Sequence, residues 1–384
     1  FIDDNIRSIF DLFQLPYVVP EPWFNDFVVP VGVSFITFQS LSYTLDIYKG
    51  IIEPERKMGY FALFTCFWPV MVNGPIERAK NLLPQLKVPH HFEYNNVRDG
   101  LFRILWGLFK KVVIADNAAT YANDIFNNYN DYSGSTLLLG AIFFAFQIYG
   151  DFSGYSDIAI GTSRLFGFKL MQNFAFPYFS RDIAEFWRRW HISLSTWFRD
   201  YLYIPLGGSR GGTWMKIRNT FIIFLVSGFW HGANWTFLAW GFLNALYFLP
   251  LLIMNKNRVN TNVVAEDTIL PKAKELFQMG ITFLLTTLAW IFFRSENISS
   301  ALNYIAKLFS YSLLAKPTYT DFNQKLIFII IIFLGIEWLG RKGKHVLEKI
   351  DVIPRLARYF IYSIIIFVII VFSGEQQEFI YFQF

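Results

Sequence analysis

The chain has 384 residues, of which 54% are hydrophobic, 20% aromatic and only 16% charged, and its mean hydropathy is +0.34. Soluble globular chains carry roughly a quarter charged residues, so this composition excludes an ordinary water-soluble enzyme. The net charge of +5 does not indicate a nucleic-acid partner, because Lys and Arg lie in short blocks between long apolar runs, as in cytoplasmic loops of membrane proteins. We therefore predict an all-α, polytopic transmembrane helical bundle, surrounded by membrane lipids, that forms a single domain over residues 1–384.

Seven apolar segments are candidates for membrane-embedded helices. They lie near residues 27–45, 59–74, 136–160, 219–254, 276–293, 326–340 and 359–373. A lone helix needs about 20 apolar residues to span a bilayer, so the shorter segments predict broken or re-entrant helices. The chain starts with FIDDNI rather than Met, and we expect that natural N-terminal helices precede it.

The stretch GLFRILWGLFKKVVIAD places four polar or small residues on one helical stripe, Arg103, Gly107, Lys110 and Lys111. A polar stripe against a broad apolar face predicts a helix that lies in the membrane interface. Further along, the polar run at 255–267 is the best candidate for a linker, although it does not indicate a domain boundary.

Two carboxylates interrupt the apolar run QIYGDFSGYSDIAIG, namely Asp151 and Asp157. Carboxylates within a membrane need partners. Either they pair with Arg or His elsewhere in the bundle, or they line a polar passage for a substrate, in which case Asp151 would contact it. The same two alternatives apply to Glu337. By contrast, His90, His91 and His345 lie in polar sequence and are expected to be solvated.

The segment EFWRRWHISLSTWFRDYLYIPLGGSRGG, residues 185–212, predicts one charged amphipathic helix that ends near Pro205. The residues expected on one face of it are Trp187, His191, Leu194, Ser195 and Phe198. His191 has either a hydrogen-bonding structural role or a catalytic one. Three arginines lie outside this face and would either anchor the segment or contact the phosphates of lipids or of a donor; they are Arg188, Arg189 and Arg199.

Residues 219–255 contain no Asp, Glu, Lys or Arg. His231 is the one residue in this segment whose side chain ordinarily gains or loses a proton near neutral pH. An intramembrane ionisable residue is a functional candidate by default, although His231 could instead bind a neighbouring carbonyl and join helices. Gly228 and Gly232 flank it and predict a bare backbone and a helix break. Trp230 and Trp235 would wall a pocket around the imidazole, which as a neutral ring is the usual base for a hydroxyl proton.

The chain resembles the membrane-bound O-acyltransferase family, and within it the bacterial branch of the alginate O-acetyltransferase type. The motifs that carry the resemblance, in chain order, are PVGVSFITFQSLSYTLDIYKG, NGPIERAKNLLPQL, GLFKKVVIADN, QIYGDFSGYSDIAIG, FWRRWHISLSTWFRDYLYIPLGGSR, FLVSGFWHGANWTFLAWG, AWIFFRSENISSA and EFIYFQF. The resemblance implies a ring of tilted helices around a central funnel. It also implies that His231 matches the catalytic histidine of the family and that His191 matches its second, supporting histidine.

The resemblance further implies acetyl-CoA as the donor substrate, without a tightly bound cofactor, and often a periplasmic SGNH-hydrolase-like partner. Our hypothesis is an O-acetyltransferase of the bacterial inner membrane that acetylates an extracytoplasmic polysaccharide, alginate or another cell-surface glycan. His231 would act as general base beside the pocket residues Trp230, Asn234 and Ser227. The alternative is a transporter or channel whose path uses Asp151, Asp157 and His231. No residue spacing indicates a metal site.

Overall fold

Backbone groups in lipid must find hydrogen-bond partners within the protein, which is why apolar segments such as these are expected to be helical. A computed structural model describes residues 32–317, 321–373, 377 and 379, and every regular element in them is a helix. The predicted all-α bundle is thus confirmed. Among the described residues, three helices are long and apolar enough to cross a membrane: Gly134–Leu165, Trp235–Ile253 and Ala273–Arg294.

In chain order the helices are α1 (Val33–Tyr48), α2 (Met58–Thr65), α3 (Trp68–Met71), α4 (Ala79–Leu86), α5 (Tyr94–Leu108), α6 (Asp116–Asn127), α7 (Gly134–Leu165), α8 (Ile183–Arg189), α9 (Ile192–Phe198), α10 (Gly212–His231), α11 (Trp235–Ile253), α12 (Ala273–Arg294), α13 (Ile298–Leu308), α14 (Asp321–Gly340) and α15 (Arg355–Val371). Two π-helical turns interrupt this order, at Phe109–Ala115 and Arg199–Tyr203. The apolar segment near 59–74 is broken into α2 and α3, as predicted. The first residues of the segment near 27–45, and the closing motif EFIYFQF apart from Phe379, lie outside the described residues.

The 32-residue helix α7 forms the centre of the bundle, and α5 packs along it. Glycines bring the two backbones together: a Cβ added at Gly107 would lie 2.6 Å from the carbonyl oxygen of Gly154. A Cβ at Gly161 would lie 2.5 Å from the carbonyl oxygen of Gly100. Small residues permit such close contact between helices that have no hydrophobic driving force to associate in lipid.

The polar stripe of the predicted interfacial helix faces α7 rather than water. Asp157 lies 2.8 Å from the Arg103 guanidinium and 2.5 Å from the Lys110 ammonium, and Asp151 lies 2.7 Å from Lys111. Arg103, Lys110 and both carboxylates are buried. The interfacial prediction is therefore wrong in its orientation, because carboxylates inside the bundle attract the stripe. Of the two alternatives for Asp151 and Asp157, these contacts agree with pairing to basic side chains rather than with the lining of a substrate passage.

The predicted single helix over 185–212 is also wrong. Helix α8 ends at Arg189, α9 begins at Ile192, and His191 between them has φ +44°. The physical reason is tertiary hydrogen bonding. The Ala175 amide donates to the Arg189 carbonyl, and the Ile192 amide donates to the Asn173 carbonyl, so a neighbouring extended segment takes bonds that a helix would use. The predicted common face is accordingly divided between two helices.

A third correction concerns His345, which is buried instead of solvated. Its Nε2 lies 2.8 Å from Oδ1 of Asp99, and Arg164 lies 2.8 Å from the other oxygen of that carboxylate. Burial alone would raise the pKa of Asp99, but the hydrogen bond and the charges of His345, Arg164 and Arg103 lower it below its ordinary value. His90 and His91 are exposed, as predicted.

Glu337 is buried and accepts hydrogen bonds of 2.9 and 3.0 Å from the Tyr149 hydroxyl.

The polar stretch predicted as a linker is a loop that is held against the bundle by Arg341. This buried guanidinium donates to the Val264 carbonyl at 2.9 Å, to the Ala265 and Thr268 carbonyls at 2.8 Å, and to the Trp338 carbonyl at 2.7 Å. Only a planar group with several donors meets four carbonyls at once. The second half of the loop is thus held by a side chain from the end of α14.

Replacing Arg341 by Lys should destabilise the protein even though the charge is kept. A lysine ammonium cannot reach all four carbonyls, and each lost bond to a charged donor is worth about 1.5–3 kcal/mol. We expect the detergent-solubilised variant to aggregate at a temperature several degrees lower, measured by size-exclusion chromatography after heating. Arg355→Lys is the control, since Arg355 is exposed and bonds only to the Tyr359 hydroxyl among the described residues. Equal midpoints for both variants would contradict this role of Arg341.

Candidate active site

The hairpin of α10 and α11 places His231 at a helix end. Helix α10 ends at His231, so the predicted break is confirmed. The flanking glycines, however, serve the packing of the two helices rather than opening the backbone to a ligand. A Cβ at Gly228 would lie 2.3 Å from the Phe237 carbonyl oxygen, and one at Gly232 would lie 2.3 Å from the Phe237 ring.

Asn234 begins the second arm of this hairpin. Its side-chain oxygen accepts the Thr236 amide at 3.1 Å and so caps α11, while its amide nitrogen donates to the Glu296 carbonyl at 2.8 Å. A capping side chain satisfies a backbone donor that the helix leaves unpaired. Asn234 therefore fixes the turn beside His231, and its predicted contact with substrate stays a prediction.

Aromatic rings surround the His231 imidazole, which is partly exposed. The ring of Trp230 lies 4.8 Å away between centroids, and those of Trp240 and Phe293 lie at 5.1 Å. Trp240 and Phe293 were not identified from the sequence, because nothing distinguishes them from other aromatics in apolar helices. Trp235, the second wall expected from the sequence, is 55% exposed.

His191 lies in the break between α8 and α9 and is 2% exposed. The Phe152 ring approaches it edge-on at 4.6 Å, and Phe35 stacks on it at 6.4 Å. Neither ring nitrogen has a hydrogen-bond partner among the described residues. A positive φ is uncommon for residues other than glycine, and an unpaired buried imidazole is costly. Such features are enriched at functional sites, so they agree with a functional role for His191, which stays a prediction.

The structure brings the two histidines to the same side chain. The Trp230 ring lies 4.8 Å from His231 and 6.3 Å from His191, and it also packs on Phe38 at 5.1 Å. The sequence separates the histidines by 40 positions and does not predict this meeting. The pair with Trp230 between them is the centre of the candidate site.

Asn173 holds the break at His191 in place. Its side-chain oxygen accepts the Ser193 hydroxyl at 2.9 Å, its amide nitrogen donates to the Ser156 hydroxyl at 3.0 Å, and its carbonyl accepts the Ile192 amide at 2.9 Å. All three contacts connect α7 to the start of α9. No pattern in the sequence marks Asn173, because its partners are set by the fold alone.

A cavity of about 260 Å³ is lined by residues close in the chain to both histidines, namely Leu194, three positions after His191, and Ser227, one turn before His231. Arg199 and Arg258 are exposed members of its lining. Most of the remaining lining is apolar, including Trp187, Leu194, Phe198, Phe224 and Phe248. The arrangement is suited to a ligand with an apolar arm and an anionic end.

The three predicted donor-binding arginines differ in what they contact. Arg188 donates to the Asn257 and Asn260 carbonyls at 2.9 and 2.7 Å. Arg189 binds the buried Glu185 carboxylate at 2.8 Å and, among others, the Asn262 carbonyl at 3.0 Å. Arg199 is 60% exposed and contacts only Asp200, at 2.8 Å, among the described residues. Arg188 and Arg189 thus hold the loop, whereas Arg199 belongs to the cavity lining.

Chemically, the site offers an imidazole in an aromatic setting, a second buried imidazole and a mostly apolar cavity with two arginines in its lining. A partly exposed imidazole that is neutral can accept a proton from a hydroxyl. The described residues contain no group of three or more His, Cys, Asp or Glu side chains that could hold a metal ion.

The family model described as MBOAT, membrane-bound O-acyltransferase family, matches residues 57–293. Over 80% of this chain, the protein is 40% identical to the probable alginate O-acetylase AlgI of Pseudomonas aeruginosa, of which the match covers 56%. It is 37% identical to the peptidoglycan O-acetyltransferase of Helicobacter pylori over 72% of this chain and 56% of that protein. It is 30% identical to the teichoic acid D-alanyltransferase of Streptococcus thermophilus over 68% of each chain.

The chain therefore spans little more than half the length of the first two of these relatives. The matched residues contain His191, His231 and all of α5 to α11, and they cover more than half of the chain. The resemblance inferred from the motifs is thereby confirmed. The protein belongs to the membrane-bound O-acyltransferase family.

Proposed function

We propose that the protein is a membrane-bound O-acetyltransferase that carries an acetyl group from a cytoplasmic thioester donor to an extracytoplasmic polysaccharide. The observation that carries the proposal is the meeting of His231 and His191 at Trp230, within the part of the chain that matches the family. The relatives named as alginate O-acetylase and peptidoglycan O-acetyltransferase favour acetyl as the group and a polysaccharide as the acceptor.

In the proposed reaction, the neutral imidazole of His231 takes the proton of an acceptor hydroxyl as its oxygen attacks the thioester carbonyl. The carbon–sulfur bond breaks, and the leaving thiolate takes a proton back from the imidazolium. The products are an acetyl ester and a free thiol. General-base assistance of this kind contributes typically about 10²- to 10⁴-fold. The aromatic walls formed by Trp230, Trp240 and Phe293 would position the reactants, which lowers the barrier further.

Acetyl-CoA is the proposed donor, bound as a substrate without a tightly held cofactor. The cavity beside Ser227 has an apolar interior and two exposed arginines, Arg199 and Arg258, in its lining. An apolar interior suits the extended arm that carries the thioester, and guanidinium groups suit its phosphates. Because one relative is named as a D-alanyltransferase, the identity of the acyl group is part of the proposal.

The proposed setting is the bacterial inner membrane, with the chain crossing it several times. The acceptor is alginate or another cell-surface glycan, and a periplasmic SGNH-hydrolase-like partner would pass the acetyl group on. The transporter alternative receives less support from the contacts. Asp151 and Asp157, which would form its path, are each within 2.8 Å of a basic side chain in the interior.

The experiment uses the full-length protein in proteoliposomes with a polysaccharide acceptor and the candidate partner inside and acetyl-labelled acetyl-CoA outside. We expect CoA thiol to be released outside, measured with a thiol reagent, and label to become esterified inside. Liposomes without the protein provide the background. Label that arrives inside as intact acetyl-CoA or as free acetate would favour transport. No thiol release by folded protein would exclude acetyl-CoA as the donor.

A further inference from the structure

A second cavity, of about 520 Å³, lies at the C-terminal end of α7 and shares no lining residue with the cavity beside Ser227. Four of its lining residues are cationic: Arg103, Arg164, Lys169 and Lys344. The others are apolar or small apart from Gln172, and none of them is acidic. Positive side chains around one space repel each other, and a bound anion would offset that repulsion.

The two arginines are fixed by the fold. Arg103 is 2% exposed, its Nε donates to Asp157 at 2.8 Å, and its Nη2 donates to the side-chain oxygen of Gln172 at 2.8 Å. Arg164 contacts Asp99 through Nη1 at 2.8 Å. The Nε of Arg164 is buried and has no hydrogen-bond partner among the described residues. This nitrogen is enclosed by protein, so the Arg164 side chain contributes its positive charge to the cavity lining rather than an open donor.

The two lysines are fixed only through their backbones. The Lys169 amide donates to the side-chain oxygen of Gln85 at 2.8 Å, and the Lys344 carbonyl accepts the Gln172 side-chain amide at 2.7 Å. Both side chains are exposed, and neither ammonium makes an ion pair with a described residue. The backbones are thus held beside the cavity, while both ammonium groups are free of ion pairs with described residues and can reach an anion there.

The acids near the cavity pair with its two arginines and not with its two lysines. Asp157 is shared between Arg103 and Lys110, and Asp99 is shared between Arg164 and the His345 imidazole. The Glu348 carboxylate accepts the backbone amide of Lys344 at 2.5 Å. These contacts leave the charges of Lys169 and Lys344 uncompensated by any ion pair among the described residues.

We propose that this cavity binds the phosphate group of a ligand, either a soluble phosphate ester or the headgroup of an anionic phospholipid. Lys169 and Lys344 would contact the phosphate oxygens as point charges, and the fixed guanidinium of Arg164 would add positive charge at the cavity lining. Lysine and arginine are the side chains that recognise phosphate by charge and by directed hydrogen bonds. The inference does not depend on the acetyl-transfer proposal, because it rests on a different cavity.

The test compares purified wild-type protein with the double variant Lys169→Gln, Lys344→Gln. Its matched control is Lys80→Gln, Lys274→Gln, which removes the same charge from two exposed lysines without an ion pair among the described residues. Equilibrium dialysis with ³²P-labelled inorganic phosphate measures soluble phosphate. Native mass spectrometry after addition of dioleoylphosphatidylglycerol measures bound lipid. A third variant, Lys169→Arg with Lys344→Arg, keeps the charge, and elution volume and thermal midpoint report folding.

We expect one phosphate or one lipid per chain, with affinity reduced at least tenfold in the Gln pair and retained in the Arg pair and in the control. Loss of dialysed phosphate binding would identify a soluble phosphate ester as the source. Loss of phosphatidylglycerol adducts alone would identify the membrane lipid. Equal binding of both probes by the Gln pair and the control would overturn the proposal, as would a wild type that binds neither probe.

Discussion

His231→Ala should lower the rate of acetyl transfer by about 10²- to 10⁴-fold, the usual contribution of a general base. The imidazole lies at the last residue of α10, partly exposed among Trp230, Trp240 and Phe293. Since the helix ends there and the close packing of α10 on α11 depends on Gly228 and Gly232, truncation of the side chain should leave the hairpin intact. The measurement is the initial rate of thiol release from acetyl-CoA at saturating acceptor.

Two further variants make this result specific. His231→Gln keeps polarity and approximate volume but cannot act as a base near neutral pH, so it should be as inactive as the alanine variant. His91→Ala is the matched control, because His91 is an exposed histidine outside the site. Activity within a few fold of wild type in both His231 variants, at an unchanged thermal midpoint, would remove His231 from the chemistry.

The second large effect is expected at His191, where Asn and Phe replacements separate two roles. Asn tolerates a positive φ, so His191→Asn should fold, whereas His191→Phe keeps a ring against Phe35 and Phe152. If a ring nitrogen is used in the reaction, both variants should lose about 10²-fold or more, as when a positioned polar group is removed from an active site. The readout is again thiol release, with the thermal midpoint as a measure of folding.

A purely structural His191 would behave differently. In that case His191→Phe would retain activity, because ring packing would be preserved and the unpaired nitrogens would be gone. A folded and active His191→Phe variant would therefore contradict a role of His191 in the reaction. Separate measurement of kcat and KM for the His191 variants would show whether His191 positions the donor, because a residue in that role should change KM more than kcat.

Part of the site was predictable because its signals are local. A histidine within 37 uncharged residues, next to glycines, indicates an intramembrane functional group from the sequence alone. The break at His231 was predicted for the same reason, and the helical class followed from composition. The motif that contains His191 was also identified from the sequence, although the single helix predicted around it was wrong.

The remainder could not be predicted because it depends on which distant segments meet. The helix predicted over 185–212 is broken at His191 by hydrogen bonds to residues 173 and 175, and local propensity has no information about them. The buried state of His345 depends on Asp99 in the same way. The sequence also left open what Arg188 and Arg189 contact, since the carbonyls they bind belong to a loop about 70 residues further along the chain.

The sequence by itself determined the all-helical membrane class and the family, and it singled out the two histidines as candidates, because hydropathy and short motifs are properties of contiguous residues. Only the tertiary structure decided that Trp230 lies between these histidines, that Asn173 fixes the break at His191, and that Asp151 and Asp157 are paired inside the bundle. These features are set by long-range packing of helices, where the burial of charged and polar groups requires partners that lie far away in the chain.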